Sequence, residues 1–211
     1  MSKYDQEYFI MFLPAGDEQI YLKPNSQTAK RKYHYKQLTP GEAPLFFQNS
    51  YRDEDKNQWP ITNVLVDMSG LLVTPPIHDE IKNNTIDFMQ TYPAVYVDDK
   101  GNYHEEYWYI GFYDELQCLD VKSSTIETID FDEDDEDDDD EERLEVEKYS
   151  LDEGVLDAIK EENRLMFKIA GCSKKHIFVH SKIVDIFGKN NATGIRFLNV
   201  ASFEEGDQFR P

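Results

Sequence analysis

Residues 94–113 read AVYVDDKGNYHEEYWYIGFY. The two ends of this stretch, 94–97 and 107–113, are built from β-branched and aromatic residues, the types that fit a pleated, packed surface. Between them Asp98-Asp99-Lys100-Gly101-Asn102 supplies turn chemistry. Asp and Asn side chains bond nearby backbone, and glycine takes positive φ without strain. The stretch therefore predicts a β-hairpin. Alternation along its second arm puts Tyr107, Tyr109 and Gly111 on one face and Trp108, Ile110 and Phe112 on the other. Only one set need be buried if one face meets a core. Packed strands favour aromatic residues, which assigns most of the stripe Tyr103, Tyr107, Trp108, Tyr109, Phe112 and Tyr113 to core. Tyr and Trp also dominate binding hot spots, so Tyr107 and Tyr109 are carried forward as candidate partner-binding residues.

On the N-terminal side, residues 8–13, 19–22, 45–47 and 64–68 are short apolar runs fenced by Pro, Gly, Asn and Asp, and read as strands. Pro75 and Pro76 suit a first helical turn, and Ile77 and Ile81 then share a face of a short amphipathic helix. On the C-terminal side, residues 151–162 predict a helix with Leu151, Val155, Leu156 and Ile159 inward, and 166–170, 177–179 and 195–198 predict strands. Ser181 is placed as the N-cap of a helix over 182–187, stopped by Gly188. Strands outnumber helices and do not alternate regularly with them. The fold class expected is α+β, with short strands in mixed or antiparallel sheets and a few short helices.

At 211 residues and 39% hydrophobic content the chain can bury a core without metal or disulfide staples, and one domain is expected over 1–211. Residues 130–142, DFDEDDEDDDDEE, hold twelve acids in thirteen positions. This run separates parts 1–128 and 143–211, which could form subdomains, but it reads as an insertion. Charges at that density repel and offer no apolar face, so a solvated, mobile acidic loop is expected. Removing those twelve charges from the net −21 leaves −9, so the remainder is acidic too.

That charge argues against binding nucleic acid, whose phosphates need a basic surface, and favours a basic protein partner. Asp132, Glu133, Asp134, Asp135, Glu136, Asp137, Asp138, Asp139 and Asp140 are therefore further candidate partner contacts, acting by electrostatic steering. Loose cation binding is a weaker alternative, because the run lacks the glycine turn and ligand spacing of a calcium loop. The apolar run 8–13 is too short for export or membrane spanning, which places the chain in the cytoplasm, with Cys118 and Cys172 reduced and buried.

Common cofactor signatures are missing: no glycine-rich phosphate loop, dinucleotide fingerprint or nucleophile elbow occurs. His104-Glu105-Glu106-Tyr107-Trp108 approaches a zinc-protease motif but has Trp108 where the second histidine belongs. Cys172, His176 and His180 are spaced by four, yet Ile177-Phe178-Val179 favours a strand. That would hold His176 and His180 roughly 13 Å apart at about 3.3 Å per residue, too far to share an ion. They read as edge or surface histidines. Carboxylates abound, but spacing alone brings no pair together in a cleft, so no catalytic residue, metal or cofactor is assigned.

Three groups of segments resemble a known family. They are Pro44-Leu45-Phe46-Phe47 with 61–67 (ITNVLVD) and Leu71-Leu72-Val73; then 88–94 (FMQTYPA), Tyr107-Trp108-Tyr109 and 116–120 (LQCLD) with Ser123 and Ser124; and finally 176–181 (HIFVHS) with Thr193-Gly194-Ile195-Arg196-Phe197. Together they resemble the immunity family numbered eleven of bacterial polymorphic toxin systems, whose pattern does not include the acidic run. The resemblance implies a non-enzymatic inhibitor that binds a cognate toxin, needing no cofactor. A basic toxin, plausibly a nuclease, would suit the charge. Two rivals remain: a general acidic chaperone or nucleic-acid mimic for basic proteins, and an enzyme without familiar motifs.

Overall fold

The computed structural model describes residues 2–16, 19–51, 59–67, 69–127 and 143–210, so the acidic run 130–142 and its nine candidate contacts lie outside the described residues. In chain order the first half supplies β1 (Tyr8–Phe12), β2 (Leu22–Pro24), α1 (Ser26–Lys30), β3 (Leu45–Asn49), β4 (Val64–Val66), β5 (Gly70–Val73), α2 (Pro75–Ile81), β6 (Met89–Val97) and β7 (Tyr103–Phe112). The second half supplies β8 (Thr125–Glu127), β9 (Glu145–Lys148), α3 (Glu153–Asp157), β10 (Met166–Lys168), β11 (Ile177–His180), α4 (Ser181–Lys189) and β12 (Arg196–Asn199). The fold is α+β, with short helices and mixed and antiparallel sheets.

The expected hairpin is β6–β7, at the centre of a six-stranded sheet ordered β2-β3-β6-β7-β5-β4. All neighbours run antiparallel except β3 and β6, which are parallel. Both arms are longer than the sequence suggests, because the turn occupies only residues 98–102, with Gly101 at φ 82°. A parallel bridge between Tyr21 and Val66 joins the sheet's two outer strands and curls it into a small barrel. The barrel is filled by one face of every strand: Leu22, Leu45, Phe47, Leu65, Leu72, Tyr96, Tyr107 and Tyr109 pack together inside.

The outer face of the barrel is buried as well. Leu71, Val73, Ile110 and Phe112 pack with Ile77 and Ile81 of α2, Ile183 and Phe187 of α4, and Met11, Met166, Ile177 and Val179 of a second sheet. That second sheet, ordered β10-β11-β1-β12, is antiparallel throughout and places β1 between two C-terminal strands. Its far face, with Tyr8, Ile10, Phe167 and Phe178, packs on a third core that includes Cys118, Val146, Tyr149, Leu151 and Cys172. Both cysteines are free and buried. Strands β8 and β9 pair with each other, anchored to the third core by Val146. Among the described residues no helix is long and apolar enough to cross a membrane.

Three local readings are corrected. The helix expected over 151–162 is only α3 followed by a short 3₁₀ turn, Glu161–Asn163; Asp152 caps α3 by accepting from Val155 N–H, and Leu151 instead bridges to Leu119. Ser181 lies inside α4, whose N-cap is His180, and the helix runs through Gly188 to Lys189. His176 and His180 are not surface residues. His180 is buried against Tyr8, and His176 sits among Phe12, Tyr149 and Phe203 with ring centroids 5.0, 5.9 and 6.2 Å away.

The two sheets are also clasped by polar contacts. Buried Lys168 on β10 donates to the Ser69 carbonyl at 2.6 Å, in the turn between β4 and β5. Within that turn Asp67 accepts from Ser69 and Gly70 N–H and from the Tyr33 hydroxyl. Burial lowers the pKa of Lys168, while the Asp67 carboxylate pulls it the other way.

Two outcomes follow from this packing. Burial pushes the pKa of His176 down to about 4, with Glu205 opposing and Lys174 reinforcing the shift. The folded state therefore holds His176 neutral, whereas the unfolded chain protonates it near pH 6.5. Stability should fall as pH drops from about 6.5 towards 4, by up to about 3 kcal/mol from this residue. Urea titrations at stepped pH should show that decline, and His176→Leu should flatten it. Second, Tyr109 lies across paired Gly70 and Gly111, where an added Cβ at Gly70 would stand 2.7 Å from its ring. Gly111→Ala should destabilise by about 2 kcal/mol or more through overpacking, measured by thermal unfolding.

Candidate functional site

Tyr107 and Tyr109, nominated from sequence as partner contacts, are 3% and 0% exposed. Both point into the barrel, so neither offers a face to a partner. The reason is that β7 serves two cores at once, leaving no free set along its central residues. The Tyr107 hydroxyl donates to the Thr62 carbonyl, whereas among the described residues the Tyr109 hydroxyl is buried without a partner.

Exposed aromatic surface lies instead at the end of the barrel where β6 turns into β7. The Tyr51 and Trp59 rings stack at 6.0 Å with planes 16° apart. Tyr51 is 58% exposed, and Ile61, two residues beyond Trp59, is 43% exposed. Trp59 and Ile61 border a recess shared with Asn49, Tyr96, Asp98 and Asp99. The recess holds about 30 Å³, room for a single water-sized group.

Its polar floor is a connected hydrogen-bond chain. The Tyr96 hydroxyl donates to Asn49 Oδ1 at 2.8 Å, and Asn49 Nδ2 donates to Asp99 Oδ2 at 2.7 Å. Burial pushes the Tyr96 hydroxyl up to about 12, with Asp99 adding to the shift, so it stays a donor at neutral pH. Asp98 is the hub of the turn. Its Oδ1 accepts from Lys100 and Asn102 N–H at 2.9 and 2.8 Å, and its Oδ2 accepts from Asn102 Nδ2 at 2.9 Å, with His104 Nε2 3.2 Å away. Burial raises its pKa, but these hydrogen bonds outweigh that and hold the carboxyl well below the usual carboxylate range. The His104 ring also stacks on Tyr96 at 5.5 Å, tying the turn to the barrel wall.

Asp98 is buried and engaged within the turn, so the mouth presents the half-buried Asp99 carboxylate beside an aromatic pair and an aliphatic side chain. That combination suits Arg or Lys, which ring faces attract and carboxylates bond. The zinc-protease-like stretch 104–108 lies on β7 and brings no second histidine to His104. Cys172, His176 and His180 occupy separate settings, respectively the third core, an aromatic cage and a helix cap. Among the described residues no group of three or more His, Cys, Asp or Glu is placed to hold a metal ion.

Sequence reading identified Asp98 and Asp99 only as turn residues and passed over Asn49, Tyr51 and Trp59. The available signal was two large aromatics flanking a polar stretch, which no regular periodicity marks. A scan of the chain against protein-family models finds no match, and a search of curated proteins finds no significant one. The resemblance to an immunity family rests on the quoted segments alone.

If Asp98 organises the mouth, Asp98→Ala should cost about 1 kcal/mol or somewhat more by removing the hydrogen bonds that gather the turn. Urea denaturation should register that loss. Tyr109→Phe, which deletes a hydroxyl with no partner, should be neutral or stabilising, while Tyr107→Phe should cost about 1 kcal/mol.

Proposed function

We propose that this chain is a bacterial immunity protein acting in the cytoplasm, neutralising a basic cognate toxin by covering it with the barrel mouth. The observation that carries the reading is exposed Tyr51 stacked on the partly buried Trp59, beside Asp99 of the β6–β7 turn. An aromatic anchor beside a carboxylate fits a cationic protein surface, and Tyr and Trp are enriched among the residues that dominate binding energy. The partner class comes from the family resemblance, and the net charge of −21 agrees with a basic partner.

In this reading the charge governs approach and the aromatics govern retention. Complementary fields raise association from about 10⁵–10⁶ towards 10⁸–10⁹ M⁻¹s⁻¹ at low salt, but are screened beyond about 8 Å at physiological ionic strength. Packed aromatic anchors then set the dissociation rate. Inhibition needs no turnover by this chain. A basic nuclease is the favoured target, since a protein that grips phosphate carries the cationic groove an acidic mouth would occlude.

The test is co-expression with the toxin encoded beside its gene. Wild-type chain should rescue growth. The double variant Tyr51→Ala/Trp59→Ala should keep its fold by circular dichroism, with the stability cost of removing Trp59 from the barrel core read by urea denaturation, yet bind about 30-fold or more weakly, the loss expected for a hot-spot pair. Raising salt should slow association more than dissociation. Rescue by the double variant at full strength would sink the assignment of the mouth, and capture of many unrelated basic proteins without rescue would favour a general acidic chaperone.

A further inference from the structure

Charge is unevenly spread along this chain. Residues 20–41 contain no acid, yet hold Lys23, Lys30, Arg31, Lys32 and Lys36, in a chain with 43 Asp and Glu. Arg31 is committed within the fold, pairing with Glu42 at 2.9 Å and lying over the Tyr92 ring. The lysines are not. Among the described residues no carboxylate pairs with Lys23, Lys30, Lys32 or Lys36, whereas Lys82, Lys148, Lys174, Lys175, Lys182 and Lys189 each pair with one. Cations left unpaired in so acidic a chain are available to an anion from outside.

The fold holds these lysines on a fixed backbone. Their stretch plugs the end of the barrel opposite the mouth, where β6 begins. Tyr33 enters the barrel edge-to-face with Phe47 and Tyr109, and its hydroxyl donates to Asp67 Oδ2 at 2.6 Å. The Gln90 amide, at the start of β6, donates to the Tyr33 and Lys36 carbonyls at 2.8 and 3.1 Å and accepts from Leu38 N–H at 2.8 Å. Lys32 takes φ 56°, a left-handed conformation that glycine or asparagine adopts at lower cost. Its side chain, like those of Lys30 and Lys36, is exposed. Among them Tyr35 is 54% exposed, with the Lys32 ammonium 5.7 Å from its ring centroid and the His34 ring at 4.4 Å.

We propose that this end of the barrel binds a single-stranded nucleic acid, with phosphates on Lys30, Lys32 and Lys36 and a base stacked on Tyr35. An acidic peptide offers carboxylates alone and leaves the ring unused; a duplex turns its base faces inward. A single strand alternates phosphates with aromatic faces, and stacking on an exposed aromatic beside cations is a recurrent means of holding one. The net charge of −21 opposes nucleic acid for the chain taken as a whole. Charges beyond about 8 Å are screened at physiological ionic strength, so the acid-free stretch sets the local field. The surface lies at the other end of the barrel from the mouth and stands whether or not the mouth binds a toxin.

Fluorescence anisotropy of the full chain with a labelled single-stranded oligonucleotide about ten nucleotides long, within the span of known single-strand sites, tests this. Binding should be saturable at low salt, with log affinity falling by about 2 per decade of salt, the slope for three phosphate contacts. Lys30→Gln/Lys32→Asn/Lys36→Gln, in which asparagine suits the left-handed backbone, should weaken binding about tenfold or more and flatten that slope. Tyr35→Ala should weaken it about tenfold with the slope kept. Lys182→Gln/Lys189→Gln, which removes two paired lysines from α4, should bind as wild type. All three variants should keep the wild-type circular dichroism, since the replaced side chains are exposed. Absence of saturable binding, equal affinity for a duplex of the same sequence, competition by a glutamate peptide at matched ionic strength, or an equal loss in the α4 variant would overturn the proposal.

Discussion

The structure depends on one strand being buried on both sides. Tyr107 and Tyr109 of β7 fill the barrel, while Ile110 and Phe112 face the helices and the second sheet. A strand in this position cannot slip by one residue, because the slip would exchange the tyrosine face for the face carrying Trp108, Ile110 and Phe112 in two cores simultaneously. The Tyr109 ring further requires glycine at both Gly70 and Gly111, which face each other across the β5–β7 pair. Register, barrel filling and the position of the β6–β7 turn are therefore fixed by the same residues.

The mouth inherits its rigidity from this constraint. Val97 and Tyr103 close the β6–β7 ladder, and the five residues between them are gathered by Asp98. Tyr96, itself buried in the barrel, reaches Asn49 on β3 and supports His104. A turn gathered in this way around buried Asp98 would need little reordering on the proposed docking, and such pre-organisation favours affinity. A flexible acidic tail would provide the same charge with a larger entropic cost.

The hairpin at 94–113, the α+β class, the α2 helix and most strand positions were legible because period-two alternation and turn residues are local signals. What was not legible was non-local. Nothing in the sequence of β7 announces that its second face meets another sheet, so Tyr107 and Tyr109 could be read as surface. Among the described residues the barrel closes through the bridge from Tyr21 to Val66, residues far apart in the chain. Likewise, Leu151 was taken from a helical pattern by its bridge to Leu119, a tertiary contact that overrides local propensity. Asn49, Trp59 and Asp98 converge only because β3, the segment before β4 and the β6–β7 turn meet at one end of the barrel.

The proposed docking surface for the toxin is that end of the barrel. Backbone hydrogen exchange on the free protein and on its complex with the co-encoded toxin tests it most directly. Protection should concentrate at residues 59–62 and 96–104, with the far face of the second sheet unchanged. Protection confined to β10, α3 or the C-terminal residues, with exchange at the mouth unaltered, would contradict it.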